Sequence, residues 1–224
     1  MRRGKRPGAA WGAIVVAVLL AVPILVVAAH IFLPGEGAWT HVSRTLLPAY
    51  LGNTVLLAVG TGTGVFLLGL GSAWLVAAYR FPLQRLWEWS LVLPLAFPGY
   101  VIAYAYTDFL QVSGPVQTWI REITGLTARE YWFPPVRSLG GAIVLLSLVL
   151  YPYVYLLTRA TLIRQSAGVL DAARSLGCTR AEAFRRVALP MARPALASGV
   201  ALALMETLAD FGTVSYFGVP VLTT

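Results

Sequence analysis

Long apolar runs separated by short charged gaps constrain this chain more than any other feature. Runs from about residue 9 to 33, 51 to 79, 87 to 107, 139 to 157, and onward from 195 are each long enough to cross a bilayer as a helix. With 58% hydrophobic and 12% charged residues, the composition is far from that of a soluble domain. The expected fold is all-α, a polytopic transmembrane helical bundle with five spans. Arg2, Arg3, Lys5 and Arg6 precede the first run, which also fits a secretory signal peptide with a poor cleavage site at Ala28-Ala29. Its length favours a first transmembrane helix, ended by Pro34-Gly35.

Composition removes several functions. The net charge of +8 lies in short gaps between apolar runs rather than on a folded polar surface, so it points to membrane orientation and not to nucleic acid. One cysteine, Cys178, excludes an internal disulfide or a cysteine cage. His30 and His41 are too few and badly placed for a typical metal or triad site. Lys5 is the only lysine, so no phosphate-binding P-loop exists and the chain cannot hydrolyse ATP by that mechanism.

The second run carries Gly60-x-x-x-Gly64, then Gly69 and Gly71, spacings that let helices approach closely in lipid and that match no full dinucleotide fingerprint. The third holds Pro94 and Pro98, which free backbone carbonyls that neighbours or a wet cavity must satisfy. Residues 108–138 read as a loop outside the membrane with an interfacial helix and aromatic residues at headgroup level.

Residues 159–194 form the most basic long segment, with seven arginines against Asp171 and Glu182. Val169, Ala173 and Leu176 predict a short helix over about 167–176, stopped by Gly177. Thr179 and Glu182 then form a capping box for a second helix, ended by Pro190 and Pro194. Spacing alone leaves open a docking surface for another protein or a mere connection between spans.

The placement of Asp171-Ala172-Ala173, Gly177, Val187 and Leu189-Pro190 resembles the "EAA" loop of binding-protein-dependent ABC importer permeases. That pattern is Glu-Ala-Ala, three residues, Gly, nine residues, Ile, one residue, Leu-Pro; Asp171 and Val187 are the two departures. Asn53-Thr54-Val55 resembles the start of the permease region, and residues 93–106 and 205–218 are similar to the amino-terminal half of ferric-iron permeases. The resemblance implies a type I ABC importer permease fold, with residues 1–48 as an added helix and loop and 49–224 as the permease domain. That domain lacks a closing span, which reads as truncation or as one half of a fused product. It also implies a coupling role for Asp171, Ala172, Ala173, Gly177, Val187, Leu189 and Pro190 toward a cytoplasmic ATPase dimer, which holds the ATP and magnesium. Further implied partners are an extracytoplasmic substrate-binding protein, a second permease half and membrane lipid. The chain is then a transporter subunit without cofactor or enzymatic site of its own, in a bacterial inner membrane.

Glu206 and Asp210 stand four residues apart in the fifth run and predict two carboxylates on one helix face. Ionisable groups in a span line a cavity or pair, so they are candidates for the translocation route. A helix–helix polar contact or a position near the outer interface remains open. Basic residues fall at the amino terminus, at Arg80 and Arg85, and seven times in 159–194. Only Arg44, Arg121, Arg129 and Arg137 fall on the other side, which puts the amino terminus and the basic loop in the cytoplasm. The expected cargo is ferric iron, with thiamine, polyamine, sulfate or molybdate as alternatives. An ion-coupled secondary transporter leaves the placement of Asp171, Gly177 and Pro190 unexplained, and a membrane-embedded enzyme lacks a nucleophile–base pair.

Overall fold

The computed structural model describes residues 17–19, 21–23, 25, 26, 42–164, 173 and 175–224. The chain divides into two compact units, Met1–Leu46 and Leu47–Thr224. In the first unit, residues 17–19, 21–23, 25 and 26 are helical and Val42–Leu46 forms a π-helical turn. Most of the first expected span, with His30 and His41, lies outside the described residues.

The second unit is helical throughout, with no strand among the described residues. Its elements are α1 (Leu47–Ala78), α2 (Gln84–Ser90), α3 (Gly99–Leu110), α4 (Pro115–Thr124), α5 (Leu139–Arg164), α6 (Arg180–Ala183), α7 (Leu189–Ala209) and α8 (Phe211–Tyr216). Three helices are long and apolar enough to cross a membrane, or four spans if a bent pair counts as one. An all-α membrane bundle is therefore what the sequence builds.

Lipid tails are as apolar as leucine, so burial alone does not drive these helices together; close packing does. The glycines of α1 supply it. A side chain on Gly60 would begin 2.8 Å from Ile143, one on Gly64 would overlap Ser147, and one on Gly69 would overlap Val154. These pairs advance together along the chain, so α1 and α5 run parallel. Gly71 faces open space, so the expected packing role does not extend to it. At the same residue of α5, a side chain on Gly199 would begin 2.7 Å from the Cα of Val154. Leu204 of α7 packs over Gly62 of α1, which makes α7 antiparallel to both. α5 is thus the central helix, burying Leu146, Val149, Val154 and Tyr155 among others. One end of the bundle carries Leu47, Leu139 and Ala209; the other carries Ala78, Arg164 and Leu189.

Some hydroxyls inside the bundle bond back to their own helix, whereas those of Thr61, Tyr155 and Thr158 are buried without a hydrogen-bond partner among the described residues. Ser147 donates to Ile143 O at 2.6 Å and Thr207 to Ala203 O at 2.8 Å.

Two expectations about spans are corrected. The third run is not one helix: residues 84–96 and 99–124 are bent by 101° at the break. Pro94 and Pro98 explain it, because neither can donate a backbone hydrogen bond to continue a helix. Pro98 instead takes an extended conformation and caps α3. The fifth helix begins before Pro194, which lies inside α7, while Pro190 stands in its first turn, where no N–H is needed. The short helix expected within residues 108–138 is α4.

The carboxy-terminal segment folds back on the start of α1. Asn53 Nδ2 donates to Pro220 O at 2.9 Å, and Thr54 Oγ1 accepts from Leu222 N at 3.0 Å. Arg137 donates twice to Tyr216 O, at 3.1 and 2.7 Å, tying the start of α5 to the end of α8.

Replacing Gly199 with leucine is expected to destabilise the bundle by about 1–3 kcal/mol or more, because the backbone of α5 cannot move aside cheaply. Gly71→Ala, which meets nothing within 4 Å, serves as the control; it is expected to be neutral or to stabilise by up to about 1 kcal/mol. Thermal unfolding of the detergent-solubilised protein, followed by size-exclusion chromatography, checks both.

Candidate functional site: a basic loop and an acidic cavity

The described residues that follow α5, 173 and 175–179, lead into α6 at the end of the bundle that carries Ala78 and Arg164. Asp171 and Ala172 lie outside the described residues. Ala173 is buried, and its carbonyl accepts from Cys178 N at 3.1 Å across Gly177, whose φ is +88°. This six-to-one bond over a left-handed glycine is a helix-terminating motif, and it places a stop where the sequence puts one. The next turn starts at once. Thr179 N and Oγ1 both donate to Glu182 Oε2 at 2.9 Å, and Glu182 N donates to Thr179 Oγ1 at 3.3 Å. The capping box is complete.

The helix that this box caps does not stop at Pro190. α6 passes into a π-helical turn, Phe184–Ala188, in which Leu189 N donates to Phe184 O. The turn widens just before Pro190, the residue that cannot donate to Arg186 O, and α7 then continues to Ala209. From Arg180 to Ala209 the chain is therefore one rod about 45 Å long. Val187, Leu189 and Pro190 lie half-buried on it, and Phe184 stacks on Trp74 of α1 with ring centroids 4.3 Å apart.

A residue that the pattern reading missed is Glu88. Its carboxylate pairs with Arg159 at 2.6 Å, both side chains about a quarter exposed at 26%, and joins α2 to the end of α5. Gln84, one turn before it, donates to Val76 O of α1 at 2.8 Å. A lone carboxylate in an apolar run, with an arginine at the same end of a neighbouring run, was the available signal.

Glu206 and Asp210 do not share one helix face. α7 ends at Ala209, and Asp210 caps α8, its Oδ1 accepting from Thr213 N at 2.8 Å. The structure nevertheless brings both carboxylates to one cavity of about 290 Å³, walled also by Phe97, Pro98 and Gly99 from the break before α3 and by Tyr153 of α5. The two helix breaks face each other across it. Gly99 lies against Asp210 and Thr213, and Gly212 lies against Tyr100. Among the described residues, no group of three or more histidine, cysteine, aspartate or glutamate side chains could hold a metal.

One helical rod thus runs from the capped turn at Thr179 to the acidic cavity of a membrane-helix bundle. The family described as "binding-protein-dependent transport system inner membrane component" matches residues 65–224, and the chain belongs to it. A similar curated protein is the sulfate transport system permease protein CysT of Salmonella typhimurium, 30% identical over 77% of this chain and 56% of its own length. Others are the Fe(3+)-transport system permease protein FbpB 2 of Haemophilus influenzae, 29% identical over 81% of this chain and 31% of its own, and CysW of Escherichia coli, 30% identical over 72% and 53%. The chain spans about half the length of the sulfate relatives and about a third of the iron relative.

Thr179→Ala removes the cap and is expected to cost about 1 kcal/mol locally. Hydrogen exchange of residues 180–184 should then speed up several-fold while α5 amides stay unchanged.

Proposed function

We propose that this chain is a permease subunit of an ATP-driven importer, set in a bacterial inner membrane with its amino terminus and basic loop in the cytoplasm. In this reading residues 49–224 are the permease domain. Asp171, Ala172, Ala173, Gly177, Val187, Leu189 and Pro190 form the coupling element that docks on a separate ATPase dimer, and that dimer holds the ATP and magnesium. An extracytoplasmic binding protein delivers cargo at the opposite face, and a second permease half completes the route.

The observation that carries this reading is the continuous rod from Arg180 to Ala209. Displacement of the capped loop by the ATPase moves the rod, and a stiff helix delivers that motion to Glu206 at its other end, one turn from the break. A flexible joint at Pro190 or Pro194 would have absorbed it. Trp74 against Phe184 gives the loop end a fulcrum on α1.

Glu206 and Asp210 form part of the translocation route, because they wall a cavity between two broken helices, where carbonyls freed by prolines are tolerated. The relatives' names offer sulfate and ferric iron as cargo. The iron reading rests on residues 93–106 and 205–218, which hold the two breaks and both carboxylates.

Gly177→Asp, which loads a left-handed position with a side chain and a charge, is expected to abolish recovery of a P-loop ATPase when the tagged full-length product is purified from gently solubilised membranes. Insertion should be unchanged. Recovery of the ATPase at the wild-type level would overturn the coupling assignment.

A further inference from the structure

We propose that the outward face of α2, with Arg80 and Arg85 beside it, is a binding surface for an anionic phospholipid, held through its phosphate by the two arginines. The inference rests on the bundle lying in a membrane, and on neither its cargo nor its coupling loop.

α2 is built inside out. Its polar residues Gln84 and Glu88, one turn apart, point inward to Val76 O and to Arg159. Its large apolar residues point outward. Leu86, Trp89 and, just beyond α2, Leu93 follow at helical spacing and are 59%, 73% and 59% exposed, with Trp87 exposed beside them. Such a stripe is costly in water and at ease against acyl chains, and tryptophan is the side chain that settles where those chains give way to headgroups.

The turn that leads into α2 points the same way. Leu83 has φ 58°, a left-handed backbone that leucine rarely takes, and its side chain is 69% exposed. Strain of this kind persists only where the surroundings fix it. Here they do: Gln84 N closes the turn on Phe81 O at 3.3 Å, Gln84 Nε2 holds Val76 O, and Phe81 packs against the core. The outcome is one more large apolar side chain turned outward on the same face.

Charge selects the lipid. Arg80 and Arg85 flank this turn, both are exposed, and neither side chain has a partner among the described residues. The described acids at this end of the bundle are already engaged, Glu88 by Arg159 and Glu182 by Thr179 and Arg186. A second copy of this face would bring arginine to arginine, and an acidic soluble protein would leave the apolar stripe unmet. A lipid phosphodiester offers two oxygens that a guanidinium fork takes together, while its acyl chains lie along Leu86 and Trp89. A choline headgroup carries the same phosphate but adds a cation that the arginines repel, so the preference is for net negative lipid.

The test uses the full-length protein in nanodiscs of phosphatidylcholine with a fixed fraction of phosphatidylglycerol, one lipid or the other carrying brominated acyl chains. The emission that Trp89→Phe removes isolates the signal of Trp89. That signal is expected to be quenched about fivefold more strongly, per mole of brominated lipid, by phosphatidylglycerol than by phosphatidylcholine. Arg80→Gln combined with Arg85→Gln should erase the preference, whereas Arg129→Gln, in the loop before α5, should leave it intact. Inorganic phosphate should not compete, because the acyl chains supply part of the binding. Equal quenching by the two lipids, a preference that survives the double substitution, or its loss to free phosphate would overturn the proposal. Absence of any bromine quenching of Trp89 would overturn it too, by showing this face covered by another protein. The ATPase capture tested at Gly177 reads separately from each of these results.

Discussion

Val154 is approached by two glycines from different helices, and the arrangement of the bundle depends on that contact. Gly69 of α1 meets its side chain and Gly199 of α7 meets its Cα, so three helices touch almost backbone to backbone at one level. In a bilayer no water is released when apolar helices meet, and only close contact and local hydrogen bonds reward association. Two glycines from different helices against one valine make that contact as short as sterics permit. The register follows from it: Gly60 and Gly64 then fall opposite Ile143 and Ser147, and Leu204 falls over Gly62.

Once register is set, the broken elements have defined places. α7 meets α5 at Gly199, with the capped loop on one side and Glu206 about two turns beyond on the other. The 101° break in the third run turns α3 across the bundle, so that Gly99 reaches Asp210 where α7 ends. Its other half, α2, is held by Glu88 on Arg159 and by Gln84 on Val76 O. Both halves of the broken span thus lean on the same central helix, one by an ion pair and one through the cavity wall.

Local chemistry was the legible part of the site. Gly177, Thr179 and Glu182 are separated by two or three residues, and their interactions close within one turn, so spacing alone specifies the stop and the cap. Prolines were read less well. Pro190 and Pro194 looked like boundaries, yet Pro190 stands in a first turn and a π-turn lets the chain carry its missing bond without leaving the helix. Pro94 and Pro98 looked like kinks inside one span, yet together they end one helix and cap another. The difference lies in what surrounds each pair, which local pattern does not contain.

Apolar length, glycine spacing and charge placement by themselves determined that this chain is a bundle of membrane helices with a capped basic loop, because these properties act over a turn or along one element. The tertiary structure decided the rest. It turned two carboxylates on a supposed single face into one at the end of a helix and one helix cap, both walling a shared cavity. It found Glu88 a partner seventy-one residues away in Arg159. It joined the loop to the span as one rod. These depend on which backbones come close enough to touch, and that is settled between helices rather than within them.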